Sequence, residues 1–410
     1  MTKAELQQQA VELMKHNDLL VLQWCTSLGK SKAAIEIMKS MADPSNKKSV
    51  LLVVAEIAHK SNWRDEFTKW NLNLLEFDIT IETYASLKHH RNKKYDLLIL
   101  DEAHHIGSDL RMEILEEIKA NKVLALSATL ALEILLKLRL LYGVGRKMRF
   151  STVNLQKAID WGILPKPRVY LIPMELDNTV NDQEIIETRG KSPKKKVVEC
   201  TLQERWKYLK DKEKYPNITL RIPCTALQKY LHISAEAEFW KKKYFYNRVE
   251  AIKNKWLQLG SKRKRYLGNL KTVEAQNLLE RLKDKRYLCF CSSIEQVEAL
   301  GGNNAIHSGK KDSLATINNF NNKEIDSLFA VGMIQEGQNL VDIDAVVIVQ
   351  LDGQERSFVQ KVGRGMRAKD PIIVIMYYKE TRDEEYLQGA LEGIDPDYVI
   401  EVSNLDEIKI

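Results

Sequence analysis

Apolar and polar positions along the chain fall into two rhythms. Within residues 5–17, Leu6, Ala10, Val11, Leu13 and Met14 recur at helical spacing, and the apolar run Leu19–Trp24 that follows has the length of a buried strand. After a turn at Gly29, the positions Ala33, Ile35, Ile37 and Met38 predict a helix over 32–41. Residues 50–55, 79–83, 97–100 and 123–126 read as further strands. Strands alternating with helices over about 150 residues predict a parallel sheet covered by helices on both faces.

The rhythm changes near Trp161-Gly162-Ile163-Leu164-Pro165, where the prolines end a helix and 169–172 reads as a strand. Residues 178–285 read as mostly helical, polar and basic. From Tyr287 the strand–helix alternation returns, with strands expected at 287–291, 328–331, 345–351 and 372–377. The expected organisation is therefore a first α/β domain over 1–153 and a linker with the start of a second domain over 154–177. A basic helical insertion over 178–285, the main part of the second α/β domain over 286–382 and an acidic tail over 383–410 follow.

With 410 residues, 44% hydrophobic and 29% charged, the chain has the apolar material for several ordinary domains. The net charge of +7 is compatible with a polyanionic partner. No apolar run is long enough to span a bilayer, so no membrane association is expected. Five scattered cysteines without a Cys-x-x-Cys pair, behind an N-terminus unlike a secretory signal, predict no zinc or iron–sulfur site and a reducing cytoplasm.

Two short segments carry the chemistry. Thr26-Ser27-Leu28-Gly29-Lys30-Ser31 lies between an expected strand and an expected helix. Glycine lets the backbone curl so that its N–H groups face a phosphate, lysine brings positive charge to the β and γ phosphates, and the serine hydroxyl is an Mg²⁺ ligand. Alone, Gly-Lys-Ser is a weak signal, and the stricter pattern wants glycine where Trp24 stands. Leu97-Leu98-Ile99-Leu100-Asp101-Glu102-Ala103-His104 is more telling, because the end of a buried strand delivers two adjacent carboxylates to the ligand-binding edge of a parallel sheet. Asp101 is then the candidate Mg²⁺ ligand and Glu102 the candidate general base.

Together these segments resemble superfamily 2 helicases of the DExH type, in particular compact bacterial and phage DNA helicases. Asp101-Glu102-Ala103-His104 resembles motif II and Ser127-Ala128-Thr129 motif III. Residues 51–70, including Trp63, resemble motif Ia, and Thr83-Tyr84-Ala85-Ser86-Leu87 resembles Ib. Cys289-Phe290-Cys291-Ser292-Ser293 is similar to motif IV, His307-Ser308-Gly309 to the short motif after it, and 332–344 to motif V. Gln360-Lys361-Val362-Gly363-Arg364-Gly365-Met366-Arg367 fits the motif VI pattern Gln-x-x-Gly-Arg-x-x-Arg.

The resemblance covers about three quarters of the chain and implies two RecA-like parallel-sheet domains with a helical insertion. It implies ATP and Mg²⁺ as cofactors. Lys30, Asp101, Glu102, Gln360, Arg364 and Arg367 are the expected catalytic set. Gln7, Thr26, Ser27, Leu28, Gly29, Lys30, Ser31, His104 and Gly337 are expected around the nucleotide, with Gln7 reading adenine and His104 linking the γ-phosphate to the other lobe. Ser31 and Asp101 are the expected Mg²⁺ ligands, and Thr83 and Ser292 expected nucleic-acid contacts. The implied function is an ATP-dependent helicase or translocase on single-stranded, junction or duplex DNA. Gln360, where RNA-unwinding DEAD-box proteins carry histidine, places RNA second.

The insertion carries Lys194-Lys195-Lys196, Lys241-Lys242-Lys243 and Lys262-Arg263-Lys264-Arg265, with aromatic residues among them. Phe239, Tyr246, Val249, Ile252 and Trp256 recur at helical spacing, which predicts that the aromatics are mostly core and the lysines solvated. Lys262, Arg263, Lys264 and Arg265 form the expected nucleic-acid patch. Two other readings stay open: a duplex translocase or branch-migration motor that leaves strands paired, and an ATP-gated nucleic-acid clamp with slow turnover.

Overall fold

The structure, a computed structural model, describes residues 1–331, 340–353, 361–392 and 394–409. Two parallel sheets organise it. The first contains β1 (Leu19–Trp24), β2 (Lys48–Val54), β3 (Phe77–Thr83), β4 (Lys94–Leu100), β5 (Lys119–Ser127) and β6 (Met148–Val153), in the spatial order β3-β2-β4-β5-β1-β6. All its pairings are parallel. Leu19, Leu20, Val21 and Leu22 are fully buried, as the unbroken apolar run required for a strand with helices on both faces. Helices α1 (Lys3–His16), α2 (Lys30–Met41), α3 (Ile57–Lys69), α4 (Asp109–Glu116), α5 (Leu132–Leu138) and α6 (Leu155–Asp160) surround this sheet. The start of α1 is fixed by a capping box, in which Thr2 accepts from the Glu5 backbone and Glu5 accepts from Thr2.

The second sheet is also parallel throughout. Its strands are β7 (Arg168–Met174), β11 (Tyr287–Cys291), β12 (Ala305–Ile306), β13 (Ser327–Val331), β14 (Ala345–Ile348), β15 (Ile372–Tyr378) and β16 (Val399–Glu401). Their order is β12-β13-β11-β14-β15-β7-β16. Strand β7 pairs with β15 although about 200 residues separate them, so the chain enters the second lobe, leaves it and returns. Short strand β16 then extends the edge beyond β7, giving part of the expected acidic tail a place in the sheet.

The segment between β7 and β11 departs from the expected mostly helical insertion. Its first half is a small mixed sheet of β8 (Gln183–Arg189), β9 (Lys196–Glu199) and β10 (Ile218–Cys224), ordered β8-β10-β9, with the one-and-a-half-turn α7 (Arg205–Lys210) beside it. The physical reason is visible in β10, where Ile218, Leu220, Ile222 and Cys224 are buried and Thr219, Arg221 and Pro223 turn the other way. These residues, with Ile185 and Cys200, form a small core of their own. The second half is helical throughout its elements: α8 (Ala226–Asn247) and α9 (Glu250–Leu270) make an antiparallel hairpin, followed by α10 (Thr272–Arg281). Beyond β11, helices α11 (Ile294–Gly301), α12 (Ser313–Asn321) and α13 (Arg382–Leu391) complete the second lobe.

Candidate nucleotide site between the lobes

The turn between β1 and α2 is shaped by two left-handed residues, Ser27 with φ 67° and Gly29 with φ 81°. Glycine takes that conformation without strain. It is also required for space, since a Cβ on Gly29 would lie 2.5 Å from Gln7 Nε2. Gln7 is buried on α1 and donates to Leu28 O at 3.3 Å, which ties the first helix to the turn. Lys30, the first residue of α2, curls back to donate to Trp24 O at 2.9 Å and Cys25 O at 3.4 Å. Thr26 Oγ1 is buried in the turn without a hydrogen-bond partner among the described residues. A curled backbone, a lysine folded over it and an unsatisfied hydroxyl form a cradle that fits a phosphate chain.

Strand β4 delivers Asp101 and Glu102 beside this cradle. The Asp101 carboxylate accepts from Trp63 Nε1 at 2.8 Å and from the Glu102 backbone N–H at 3.1 Å. Burial pushes the Asp101 carboxyl above its ordinary value, while the Trp63 N–H and the nearby His59 and Lys30 pull it back. Glu102 sits at φ 48° and ψ 56°, a left-handed conformation that costs a non-glycine residue about 1–3 kcal/mol and concentrates at functional sites. Its Oε2 lies 3.4 Å from His104 Nδ1, and that ring nitrogen is 3.2 Å from Ser127 Oγ. Ser127 Oγ donates in turn to Thr129 O at 2.8 Å. His104 therefore connects the carboxylate loop to Ser127-Ala128-Thr129 within its own lobe.

The second lobe closes the other side. Ser27 Oγ donates to Gly363 O at 2.9 Å, and Arg367 Nε donates to Ser27 Oγ at 3.3 Å. Arg367 also donates through Nη1 to Leu340 O at 3.0 Å. A Cβ on Gly363 would run into Thr26 Oγ1, so glycine is what allows the two backbones to approach. The resulting cleft, about 940 Å³, is lined by Gln7, Lys30, Ser31, Asp101 and Glu102 from the first lobe and by Arg364 and Arg367 from the second. Gln360 and Gly337 lie outside the described residues.

Two neighbours of the cleft escaped sequence reasoning. His59 and Trp63, one turn apart on α3, are 2% and 3% exposed and both line the cleft. Trp63 was legible as part of a motif but not as the donor that orients Asp101. A single histidine on an amphipathic helix carries no signal that would have singled out His59.

The expected nucleic-acid contacts are placed differently from the reading of the sequence. Thr83 is buried, 3.1 Å from Ser86 Oγ. Ser292 is buried and donates to Gln296 Oε1 at 3.0 Å. Lys262, Arg263, Lys264 and Arg265 occupy successive positions of α9, and four such residues span a full helical turn. They cannot share one face: Lys262 and Arg265 are exposed, Lys264 is half-buried, and Arg263 is buried. None of these is a single accessible patch.

Comparison with known proteins finds two family matches. Residues 1–132 match the family described as type III restriction enzyme, res subunit, and residues 269–369 match the helicase conserved C-terminal domain. A protein of Methanocaldococcus jannaschii described as an ATP-dependent RNA helicase is 25% identical over 133 residues, 28% of this chain. The match spans only 17% of that relative's length. Dbp5 of S. cerevisiae, solved with RNA and ADP BeF3, covers 98% of this chain and 91% of its own at a TM-score of 0.59 and 10% identity. The type ISP restriction-modification enzyme LlaBIII, solved bound to DNA, covers 99% of this chain but only 32% of its own, with TM-score 0.55 and 12% identity. At these identities the structural likeness speaks for the fold: two RecA-like lobes. With a match to the res-subunit family in the first lobe and to the helicase C-terminal domain in the second, the chain is similar to superfamily 2 helicases, a class of ATP-hydrolysing enzymes. Among the described residues no helix is long and apolar enough to cross a membrane.

Proposed function

We propose that this chain is a nucleic-acid-stimulated ATPase of the DExH type that translocates along or unwinds DNA. The observation that carries the reading is the contact of Ser27 in the phosphate turn with Gly363 and Arg367 of the opposite lobe. A site assembled from two lobes is complete only when they meet, and that couples hydrolysis to domain motion.

Each residue then has a role. Gln7 reads the adenine from α1, while the Thr26–Ser31 turn cradles the phosphates with Lys30 as the counter-charge. Ser31 and Asp101 would hold Mg²⁺, which when bound would supply charge neutralisation at the phosphates. Trp63 keeps the Asp101 carboxylate oriented by its 2.8 Å hydrogen bond. Glu102 accepts the proton of the attacking water. Arg364 and Arg367, with Gln360, bring transition-state charge compensation from the second lobe. His104, against Ser127, passes the state of the carboxylate loop to Ser127-Ala128-Thr129.

The test is steady-state phosphate release with single-stranded DNA, duplex DNA, a forked duplex, an immobile junction and RNA in parallel. Stimulation by DNA supports the proposal, and strand separation on the fork against movement of the junction distinguishes a helicase from a branch-migration motor. Stimulation by RNA alone overturns the choice of DNA. Nucleotide binding without stimulated turnover makes the chain a clamp.

A further inference from the structure

The distal half of the α8–α9 hairpin is an unusual surface. On α8 the buried residues are Ala226, Tyr230, Ile233 and Ala237, and on α9 the first buried residue is Leu259. Between them, residues 238–258 contain no buried residue. Two helices of 22 and 21 residues, at about 1.5 Å per residue, therefore extend beyond the body to which their bases are packed.

This projecting tip has the composition of neither a solvated helix nor a core. Six of its 21 residues are aromatic, against 8% in the whole chain, and it carries six Lys and Arg against two Glu. The expectation that these aromatics are mostly core is overturned: Phe239 is 60%, Phe245 51% and Tyr246 88% exposed. The rings are nonetheless ordered. Tyr244 and Trp256 stack across the hairpin with centroids 5.9 Å apart and planes at 27°. Arg248, left-handed at the bend with φ 52°, lays its guanidinium 5.6 Å from the Tyr244 ring and 5.0 Å from Phe245. Lys243 sits 4.9 Å from the Trp240 ring.

The mount is rigid. Asn269 Oδ1 at the end of α9 accepts from Ser293 Oγ at 3.0 Å, and Gly268 O accepts from Gln296 Nε2 at 2.6 Å. A Cβ on Gly268 would run into Ser292. The next residue in the chain after α9, Lys271, is fully buried and donates to Val349 O, Gln350 Oε1, Met376 O and Asp383 Oδ2 at 2.5–3.1 Å. The hairpin is thus fixed to the second lobe and must move with it.

Charge decides the occupant. Residues 178–285 hold 26 Lys and Arg against 13 Asp and Glu, so this segment is +13 while the remainder of the +7 chain is −6. A polyanion is drawn to this arm, and exposed rings beside lysines are what unpaired bases stack on. We propose that the α8–α9 tip binds single-stranded nucleic acid by stacking bases on Phe245 and Tyr246, with Lys241, Lys242 and Lys243 on the phosphates. This rests on the reading of the chain as a nucleic-acid motor and assigns that motor a binding surface outside its ATP cleft.

The test compares the full chain with Phe245→Ala/Tyr246→Ala and Lys241→Gln/Lys242→Gln/Lys243→Gln, using a labelled oligothymidylate at several salt concentrations. Nucleic-acid-free ATPase is expected to stay unchanged in both variants, which shows that the cleft is intact. The aromatic variant should bind the strand about 10- to 100-fold more weakly. Phe245→Tyr/Tyr246→Phe should keep wild-type affinity. The lysine variant should lower the slope of log affinity against log salt by about 0.7 for each phosphate that a lysine had neutralised. Wild-type affinity in the aromatic variant overturns the hairpin proposal alone, as does a change confined to self-association. No binding or stimulation of the wild-type chain by any nucleic acid overturns the motor reading beneath it.

Discussion

The nucleotide cleft and the hairpin tip hold their working side chains in opposite ways. In the cleft, each is secured by another group: Asp101 by Trp63, His104 by Ser127, Ser27 by Gly363 and Arg367. At the tip, Tyr246 stands 88% exposed and the other rings pack on one another and on lysine and arginine heads. The difference matches two kinds of recognition. Phosphoryl transfer needs charges fixed to a fraction of an ångström, because the transition state is stabilised only by donors already in place. Stacking on a base tolerates any sequence, because every base presents a flat face to an exposed ring.

The comparison predicts that damage in the cleft is catalytic and damage to the arm affects binding or stability. The largest expected effect comes from the second lobe. Arg364→Ala or Arg367→Ala should lower turnover by about 10³–10⁵ if either acts as an arginine finger, with nucleotide binding retained. Single-turnover phosphate release beside a nucleotide titration measures both. Glu102→Gln should lower turnover by about 10²–10⁴ and also bind nucleotide; near-normal turnover removes it as the general base.

Asp383→Ala probes the mount of the hairpin. It strips the carboxylate from a Lys271 that is 0% exposed, and breaking a buried pair in this way costs about 3–5 kcal/mol. A urea midpoint that does not move would show that the base of the arm is held by other interactions. Trp63→Phe is the mildest of the four. It removes a hydrogen bond to a charged carboxylate, a change of about 1.5–3 kcal/mol, and should lower turnover roughly tenfold or more without altering fluorescence-detected nucleotide affinity to the same degree. Equal losses in both would mean that Trp63 packs the cleft and does not orient Asp101.

Legibility in the sequence followed the same division. The central strands of the two lobes are buried on both faces, so they leave unbroken apolar runs such as Leu19-Leu20-Val21-Leu22 and Ala345-Val346-Val347-Ile348. The phosphate turn and the Asp101-Glu102 pair are contiguous in sequence, and their position at strand ends could be read directly. The Ser27–Gly363 contact joins residues 336 positions apart and leaves no local pattern. In the insertion, the alternation of Ile218, Leu220, Ile222 and Cys224 was present but lay among lysines, and its partner β8 buries only Ile185. The aromatic residues of the hairpin failed for a deeper reason. Helical periodicity reports which face of a helix a residue shares, and says nothing of whether another element covers that face.

A nucleic-acid motor of the proposed kind hydrolyses ATP only with both lobes in place and is switched on by nucleic acid. The most direct measurement is DNA-stimulated phosphate release by the wild type, Glu102→Gln and Arg367→Ala, with nucleotide affinity determined on the same samples. Strong stimulation of the wild type, its loss in both variants, and nucleotide binding in all three are the expected results. Stimulated turnover that survives Arg367→Ala at the wild-type rate, or a wild type indifferent to nucleic acid, would contradict this reading.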